Sequence, residues 1–378
     1  SINALLGTEI PEADMLGYFE KIGLGYDPEK KEVLVPTFRQ DLLCLADLAE
    51  EVARFYGYDN IPTTLPRGEA TNGKLSFKLR VEQVARETAE FCGFSQGMTY
   101  SFESPKVYDR LLLDADDPAR QAVQILNPLG EDYSIMRTLP LNGILTSLAT
   151  NYNRRNKNVR LYELATIYLP KSLPLTELPD ERVQFTLGMY GEGDFFSMKG
   201  VVEEFLEKVG MKGKETYDPA AGKNFLHPGR QALIRYEGKE IGYLGELHPQ
   251  VADNYNIGER VYVAVLDMPV IVEMATFDRK YEGIAKYPAV TRDISMVVPK
   301  QILAGQIEAE IRKNGGVYLE SCQLFDIYEG AQIKEGYKSL AYSITFRAKD
   351  KTLSDAEVNE AMDQVLKALE TMGIELRK

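Results

Sequence analysis

The chain has 378 residues, is 44% hydrophobic and 27% charged, with no Trp, and carries a formal net charge of −13. That is length enough for two or three cored domains, in a composition ordinary for a globular protein. No apolar run approaches the ~20 residues that span a bilayer, no signal-peptide pattern opens the chain, and the three scattered cysteines read as reduced thiols, so a cytoplasmic protein without a membrane role is expected.

Residues 1–68 read as small helices and short strands. Pro11 opens a helix with Met15, Leu16, Phe19 and Ile22 as its apolar residues, and Gly23 ends it. Glu32 to Val35 is a short strand stopped by Pro36. Asp41 precedes a helix that runs to Tyr56 and closes at Gly57. Pro62, Pro66 and Arg67-Gly68 mark a linker. The chain starts at Ser1 without a Met, which suggests a piece of a longer protein.

Residues 70–286 form the largest block. A helix over 76–91 starts it, and a second covers 198–209. Strand-like runs fall at 160–169, 183–190, 232–236, 240–246 and 262–267. Together they imply an α+β arrangement with an antiparallel sheet. Residues 287–378 follow the order β-α-β-β-α-β of a ferredoxin-like fold. Strands are expected at 292–298, 318–328, 338–348 and 374–376. Helices are expected over 303–314 and from Ser354, which forms a capping box with Glu357. This last block is close to neutral, so it is the better place for a nucleic-acid contact in an otherwise acidic chain.

In the helix ending at Tyr56, Leu45, Leu48, Val52 and Phe55 form an apolar stripe. Asp47, Glu50, Glu51 and Arg54 recur at helical spacing on the opposite side, and Asp41 lies just ahead. Four carboxylates against one Arg suit a hard cation such as Mg2+. From spacing alone a solvated helix face with an Arg54 pair is the commoner arrangement, since such acidic sets recur on surface helices.

The stretch Pro36-Thr37-Phe38-Arg39-Gln40-Asp41, with Asp47-Leu48-Ala49-Glu50-Glu51-Val52-Ala53-Arg54-Phe55-Tyr56-Gly57-Tyr58-Asp59, resembles the metal-holding module of phenylalanyl-tRNA synthetase beta subunits of the bacterial type. The resemblance implies that Asp41, Asp47, Glu50 and Glu51 bind Mg2+ at a site shared with the alpha subunit. Asn127-Pro128-Leu129, Met136-Arg137-Thr138-Leu139, the run from Asn151 to Ala165, His227-Pro228-Gly229-Arg230 and Leu244 to Pro249 are similar to the family's catalytic-like module. It is related to class II synthetase cores but is not catalytic. The residues agree with that reading: Arg160-Leu161-Tyr162-Glu163 has the wrong spacing for a class II Arg-x-Glu pair. Gly242 to Glu246 lacks a terminal Arg, and no glycine-rich phosphate loop is present. No catalytic residue is therefore assigned, and His227 and His248, each before a Pro, read as turn-shaping. Arg154, Arg155, Lys157 and Arg160 form one basic run, either a solvated loop or a contact to RNA or the alpha chain.

Lys286 to Ser295 resembles the start of the ferredoxin-fold anticodon-binding domain that closes these subunits. Ile294, Met296, Val298, Leu340, Tyr342, Ile344 and Phe346 should face the helices. Asp293, Ser295, Ala341, Ser343, Thr345 and Arg347 should form a small, polar, open face for a single-stranded loop. Arg292, Arg347, Lys349 and Lys351 are the phosphate-contact candidates. The reading is thus an α+β multidomain chain: a metal-holding module (1–68), an inactive class II synthetase-like module (70–286) and a ferredoxin-like domain (287–378). The resemblance implies two alpha and two beta chains, tRNA as ligand, and ATP bound by the complex and not by this chain. It places the editing and oligonucleotide-binding domains upstream. A free-standing RNA-binding or regulatory protein built from synthetase modules is the rival reading.

Overall fold

Pro11 has no backbone N–H to leave unsatisfied and a fixed φ near the helical value, and the first long helix begins directly after it. The computed structural model describes residues 1–330 and 332–377. It divides the chain into two units, Ser1–Lys74 and Leu75–Lys378.

In the first unit, α1 (Ile2–Leu6) and α2 (Glu12–Lys21) are followed by the antiparallel pair β1 (Gly25–Asp27) and β2 (Glu32–Leu34), then by α3 (Leu45–Tyr56). Ile10, Met15, Phe19, Leu24, Leu42 and Val52 form its core. α3 buries Ala49, Val52 and Ala53. The expected stripe is corrected at its first member: Leu45 is 51% exposed. It opens the helix, where the turn before it supplies nothing to pack against. β1 was not expected from the sequence; three residues that are only half-buried or exposed carry no alternation to detect.

The second unit opens with α4 (Phe77–Phe91), capped by the Ser76 hydroxyl. Next come β3 (Ser95–Gln96), β4 (Phe102–Glu103), α5 (Val107–Arg110), β5 (Ile135–Met136) and α6 (Leu141–Asn153). Then follow β6 (Val159–Leu169), β7 (Asp180–Tyr190), α7 (Phe195–Lys208), β8 (Glu215–Asp218), β9 (Leu226–Tyr236), β10 (Lys239–Leu247), α8 (Pro249–Asn254), β11 (Val261–Asp267) and α9 (Met268–Met274). Seven strands pair in the order β3-β6-β7-β11-β10-β9-β8, antiparallel except for β3 on β6. Most of β7, β10 and β11 is buried on both sides because each side meets helices. Phe185, Leu187 and Ala264 pack with Ala85, Val202 and Phe205 of α4 and α7. Tyr190, Val263 and Val265, one residue out of phase, pack with Ile144, Leu145 and Leu148 of α6.

α6 was not expected as a helix. Its Gly, Ser, Thr and Asn content is poor in helix formers, and burial of five side chains on the sheet outweighs that preference. The approach is close: a Cβ on Gly188 of β7 would lie 2.5 Å from Ile144 Cγ2.

The last part of this unit contains β12 (Val290–Pro299), α10 (Ala304–Asn314), β13 (Leu319–Tyr328), β14 (Tyr337–Phe346), α11 (Asp355–Thr371) and β15 (Glu375–Leu376). The strand order β13-β14-β12-β15 is that of a ferredoxin-like sheet. Ile294, Met296, Val298, Leu340, Tyr342, Ile344 and Phe346 pack against Ile307, Ile311, Val358 and Val365 of the two helices. The Ser354–Glu357 capping box is present.

Candidate functional site

The acidic quartet does not converge. Arg39 reaches two of its members: it donates to Asp41 Oδ2 at 2.6 Å and to Glu51 Oε1 at 2.8 Å. Arg54 donates to the other Glu51 oxygen. Asp47 is the third residue of α3, and its Oδ2 accepts from the backbone N–H groups of Leu43 and Cys44, both at 2.7 Å. It closes a capping box with the Cys44 thiol. Glu50 is exposed and pairs with no described residue.

These contacts stabilise the charged forms. Arg39 holds Asp41 below the ordinary carboxylate range. The amides of Cys44 and then Leu43 do the same for Asp47, and Arg54, then Arg39, for Glu51, against the opposing effect of burial. Among the described residues no three acidic, His or Cys side chains come together as a metal would need. The oxygen donors have the right chemistry for a hard cation. Their geometry within this chain does not fit one, because Arg39 stands between two of them and the cap holds a third.

The histidines are local. His227 Nδ1 accepts from the Gly229 N–H within β9, so it lies in a strand and not in a turn. His248 Nδ1 accepts from the Gln250 N–H and caps α8. The basic run is divided: Arg154 and Arg155 follow α6, while Arg160 belongs to β6 and donates to the Cys92 carbonyl at 3.0 Å. Glu163, in the stretch with the wrong spacing for a class II pair, is buried against Arg137 at 3.2 Å.

In the ferredoxin-like part, the cross-strand register sets the open face. Asp293 opposes Ser343, Ser295 opposes Ala341, and Gln323 opposes Ser343 from the other side. Ala341 is only 7% exposed, being small and flanked by strands on both sides. The basic candidates are mostly engaged. Arg292 is in phase with Ile294 and Met296, so it emerges toward the helices, where it pairs with Asp355 at 3.1 Å. This phosphate-contact candidate therefore stands on the helix side of the sheet and not on the open face. Arg347 pairs with Glu320 at 2.9 Å and donates to the Tyr287 carbonyl. Lys351 pairs with Glu357. Lys349 is exposed and pairs with no described residue. Two aromatic groups were missed: Tyr328 opposes Ser339 on the open face, and Phe325 sits at the bulge of β13, 57% exposed. Two aromatics in a run already expected as a strand were the available signal, but only the register places Tyr328 on the open face.

A helix-flanked antiparallel sheet followed by a ferredoxin-like domain defines the class, a multidomain chain of the kind found in aminoacyl-tRNA synthetases. The family pattern for the tRNA synthetase B5 domain matches residues 1–58. That for the phenylalanyl tRNA synthetase beta chain CLM domain matches 61–268, and that for the ferredoxin-fold anticodon binding domain matches 285–377. The chain belongs to the phenylalanyl-tRNA synthetase beta chain family. It is 41% identical to the phenylalanine–tRNA ligase beta subunit of Clostridium tetani, over all of this chain and 48% of that protein. It is 40% identical to that of Clostridium acetobutylicum over the same shares. The chain spans about half the length of the curated relatives it matches. Among solved structures, pyrrolysyl-tRNA synthetase from Desulfitobacterium hafniense overlaps 52% of this chain and 68% of its own, with a TM-score of 0.44 and 14% identity. Among the described residues no helix is long and apolar enough to cross a membrane.

Proposed function

We propose that this chain acts as part of the beta subunit of phenylalanine–tRNA ligase, in the cytoplasm. It supports ATP-dependent attachment of phenylalanine to tRNA by organising an alpha subunit, in a complex of two alpha and two beta chains, and by binding tRNA. The carrying observation is the consecutive match of three domain patterns along one chain, together with beta-subunit relatives aligned over its whole length. ATP and phenylalanine are handled by the alpha subunit, and the chain alone is inactive: it has neither the Arg-x-Glu spacing nor a phosphate loop. Its nearest equivalent carboxylate, Glu163, is committed to Arg137.

The open sheet face binds the anticodon loop, with Tyr328 and Phe325 as stacking groups, Lys349 as the free phosphate contact, and Arg292, Arg347 and Lys351 contributing once released from their acidic partners. Mg2+ belongs to the same proposal as an ion shared with the alpha subunit. Glu50 is the quartet member already free, and Asp41, Asp47 and Glu51 become ligands only with oxygens from the second chain or water to complete the set.

The test is co-purification with an alpha subunit, followed by an aminoacylation assay. The expected result is a stable complex that charges tRNA with phenylalanine, while the pure chain shows no phenylalanine-dependent pyrophosphate exchange. Failure to assemble, or exchange by the chain alone, would refute the proposal.

A further inference from the structure

Glu103 lies at the end of the short strand β4 and is 4% exposed. Its Oε2 accepts from Asn142 Nδ2 at 3.2 Å. Its Oε1 is buried and has no hydrogen-bond partner. A buried acceptor left without a donor costs its full desolvation. Burial pushes this carboxyl up to about 7, against the opposing pull of the Asn142 bond and of Arg137. The charged or titratable groups around it are Arg137, Tyr108, Tyr255, and, lining the same cleft, Tyr100, Arg110, Asp132 and Tyr133. Arg110, the one cation among the described lining residues, is committed elsewhere: it lies 3.8 Å over the Tyr255 ring and reaches the Asn254 carbonyl.

Glu103 is among the residues lining a cleft of about 640 Å3 beside β4, the start of α6 and Tyr133, with Oε1 itself covered. Apolar groups stand exposed on the rim, beside the polar Ser104, Asp132, Thr146 and Ser147. Met98 is 88% exposed and Tyr100 74% exposed, and Tyr100 stacks with Phe102 and meets Tyr133 edge-on. Leu126 and Leu129, each more than 90% exposed, stand on the loop just past Gln124, which bridges to Ile135, the strand partner of Glu103. Single exposed apolar residues are unremarkable, whereas a patch of Met and aromatic groups around a polar floor is the make-up of a protein interface core.

We infer that the cleft at Glu103 seats a lysine or arginine side chain of the partner chain, whose cationic N–H donates to Glu103 Oε1 while the Met98–Tyr100–Phe102 rim closes around its stem. The identification of that partner as the alpha subunit rests on the function proposed above. A cationic donor satisfies the orphan oxygen and the buried charge together. Its aliphatic stem matches the apolar rim, which a bare metal ion or an acidic group would not.

The experiment measures the dissociation constant of the full chain with purified alpha subunit, at about pH 8 and about pH 6, on either side of the raised carboxyl. Glu103→Gln keeps the Asn142 contact and removes the charge. At the higher pH it should weaken binding about tenfold or more, as expected for losing one side of a buried charge-assisted pair. The parent should bind several-fold more weakly at the lower pH, and the variant should lose that dependence. Tyr100→Ser, on the exposed rim where it leaves the core intact, should weaken binding at both pH values without changing the melting temperature. If Glu103→Gln folds poorly, the parent's pH profile and Tyr100→Ser decide. Binding by Glu103→Gln within about twofold of the parent, or a parent profile flat with pH, would sink the inference while leaving the partnership in place. A parent that does not bind the alpha subunit at all would remove both.

Discussion

Arg137 and Glu163 meet at 3.2 Å with their side chains 4% and 6% exposed. Thr99 donates its hydroxyl to the second Glu163 oxygen at 2.7 Å, and Arg137 Nε donates to the Thr166 carbonyl at 2.7 Å. The pair fastens the start of α6 to β6. Gly143 shares the same tight place, since a Cβ there would lie 2.1 Å from the Thr99 hydroxyl. Arg137→Ala should lower unfolding free energy by about 3–5 kcal/mol, because it leaves a buried carboxylate unpaired. Urea denaturation checks this, and a midpoint equal to the parent's would show that the pair contributes little.

Glu103 should make the isolated chain less stable as pH rises. Its folded-state value, about 7, is above the ordinary carboxylate range. Its contribution is therefore fully present below about 4.5 and is lost as pH rises through 7. Glu103→Gln should be more stable than the parent by roughly 3 kcal/mol at about pH 8, and by only about 1 kcal/mol at about pH 5. Denaturation midpoints at the two pH values measure this; the opposite order would show that the carboxyl is satisfied when charged.

The quartet around α3 behaves in the opposite sense. Asp41, Asp47 and Glu51 are all held below their ordinary values, by Arg39, by the Cys44 and Leu43 amides, and by Arg54 with Arg39. Their stabilisation is complete above the unfolded carboxylate values and is lost as pH falls through the depressed ones. Asp47→Asn should loosen the start of α3 at about pH 6, and the difference should shrink as pH falls below the ordinary carboxylate range. NMR chemical shifts over residues 44–56 report it; identical shifts at the higher pH would mean that the cap is unimportant.

Adding Mg2+ to the isolated chain should leave the quartet's carboxylate shifts nearly unchanged, because Arg39 already occupies two of its members. In the reconstituted complex, Glu50→Ala should lower aminoacylation and raise the Mg2+ concentration needed for half-maximal rate. Tight Mg2+ binding by the chain alone would contradict the shared site.

On the ferredoxin-like domain, Tyr328→Ala should weaken tRNA binding by about 1–3 kcal/mol with its salt dependence kept, as for loss of a stacked base. Lys349→Ala should weaken it less and make the salt slope shallower by about 0.7, one phosphate contact on a single strand. Phenylalanine activation by the complex should stay unchanged in both. Filter binding across a salt series distinguishes them, and equal salt slopes for Lys349→Ala and parent would exclude that contact.

Patterning along the chain determined the βαββαβ order, the capping box at Ser354 and the side on which Ile294, Met296, Leu340 and Tyr342 are buried, because strand and helix periodicities are local properties. The long motif after Pro36 was enough for the family, since it depends on residue identity and spacing. Tertiary structure decided what those residues touch. Helix α6 exists because the sheet covers its apolar face, against weak local propensity. Asp41 and Glu51, two acids of one motif in the sequence, are bridged by Arg39, which lies 12 positions from Glu51. Arg292 turned toward Asp355, which lies 63 positions on. Glu103, a single unremarkable acid in the sequence, became a buried carboxyl with one orphan oxygen only beside β5 and α6. Pairing between distant charges is set by the three-dimensional path of the backbone, and no periodicity along the chain encodes it.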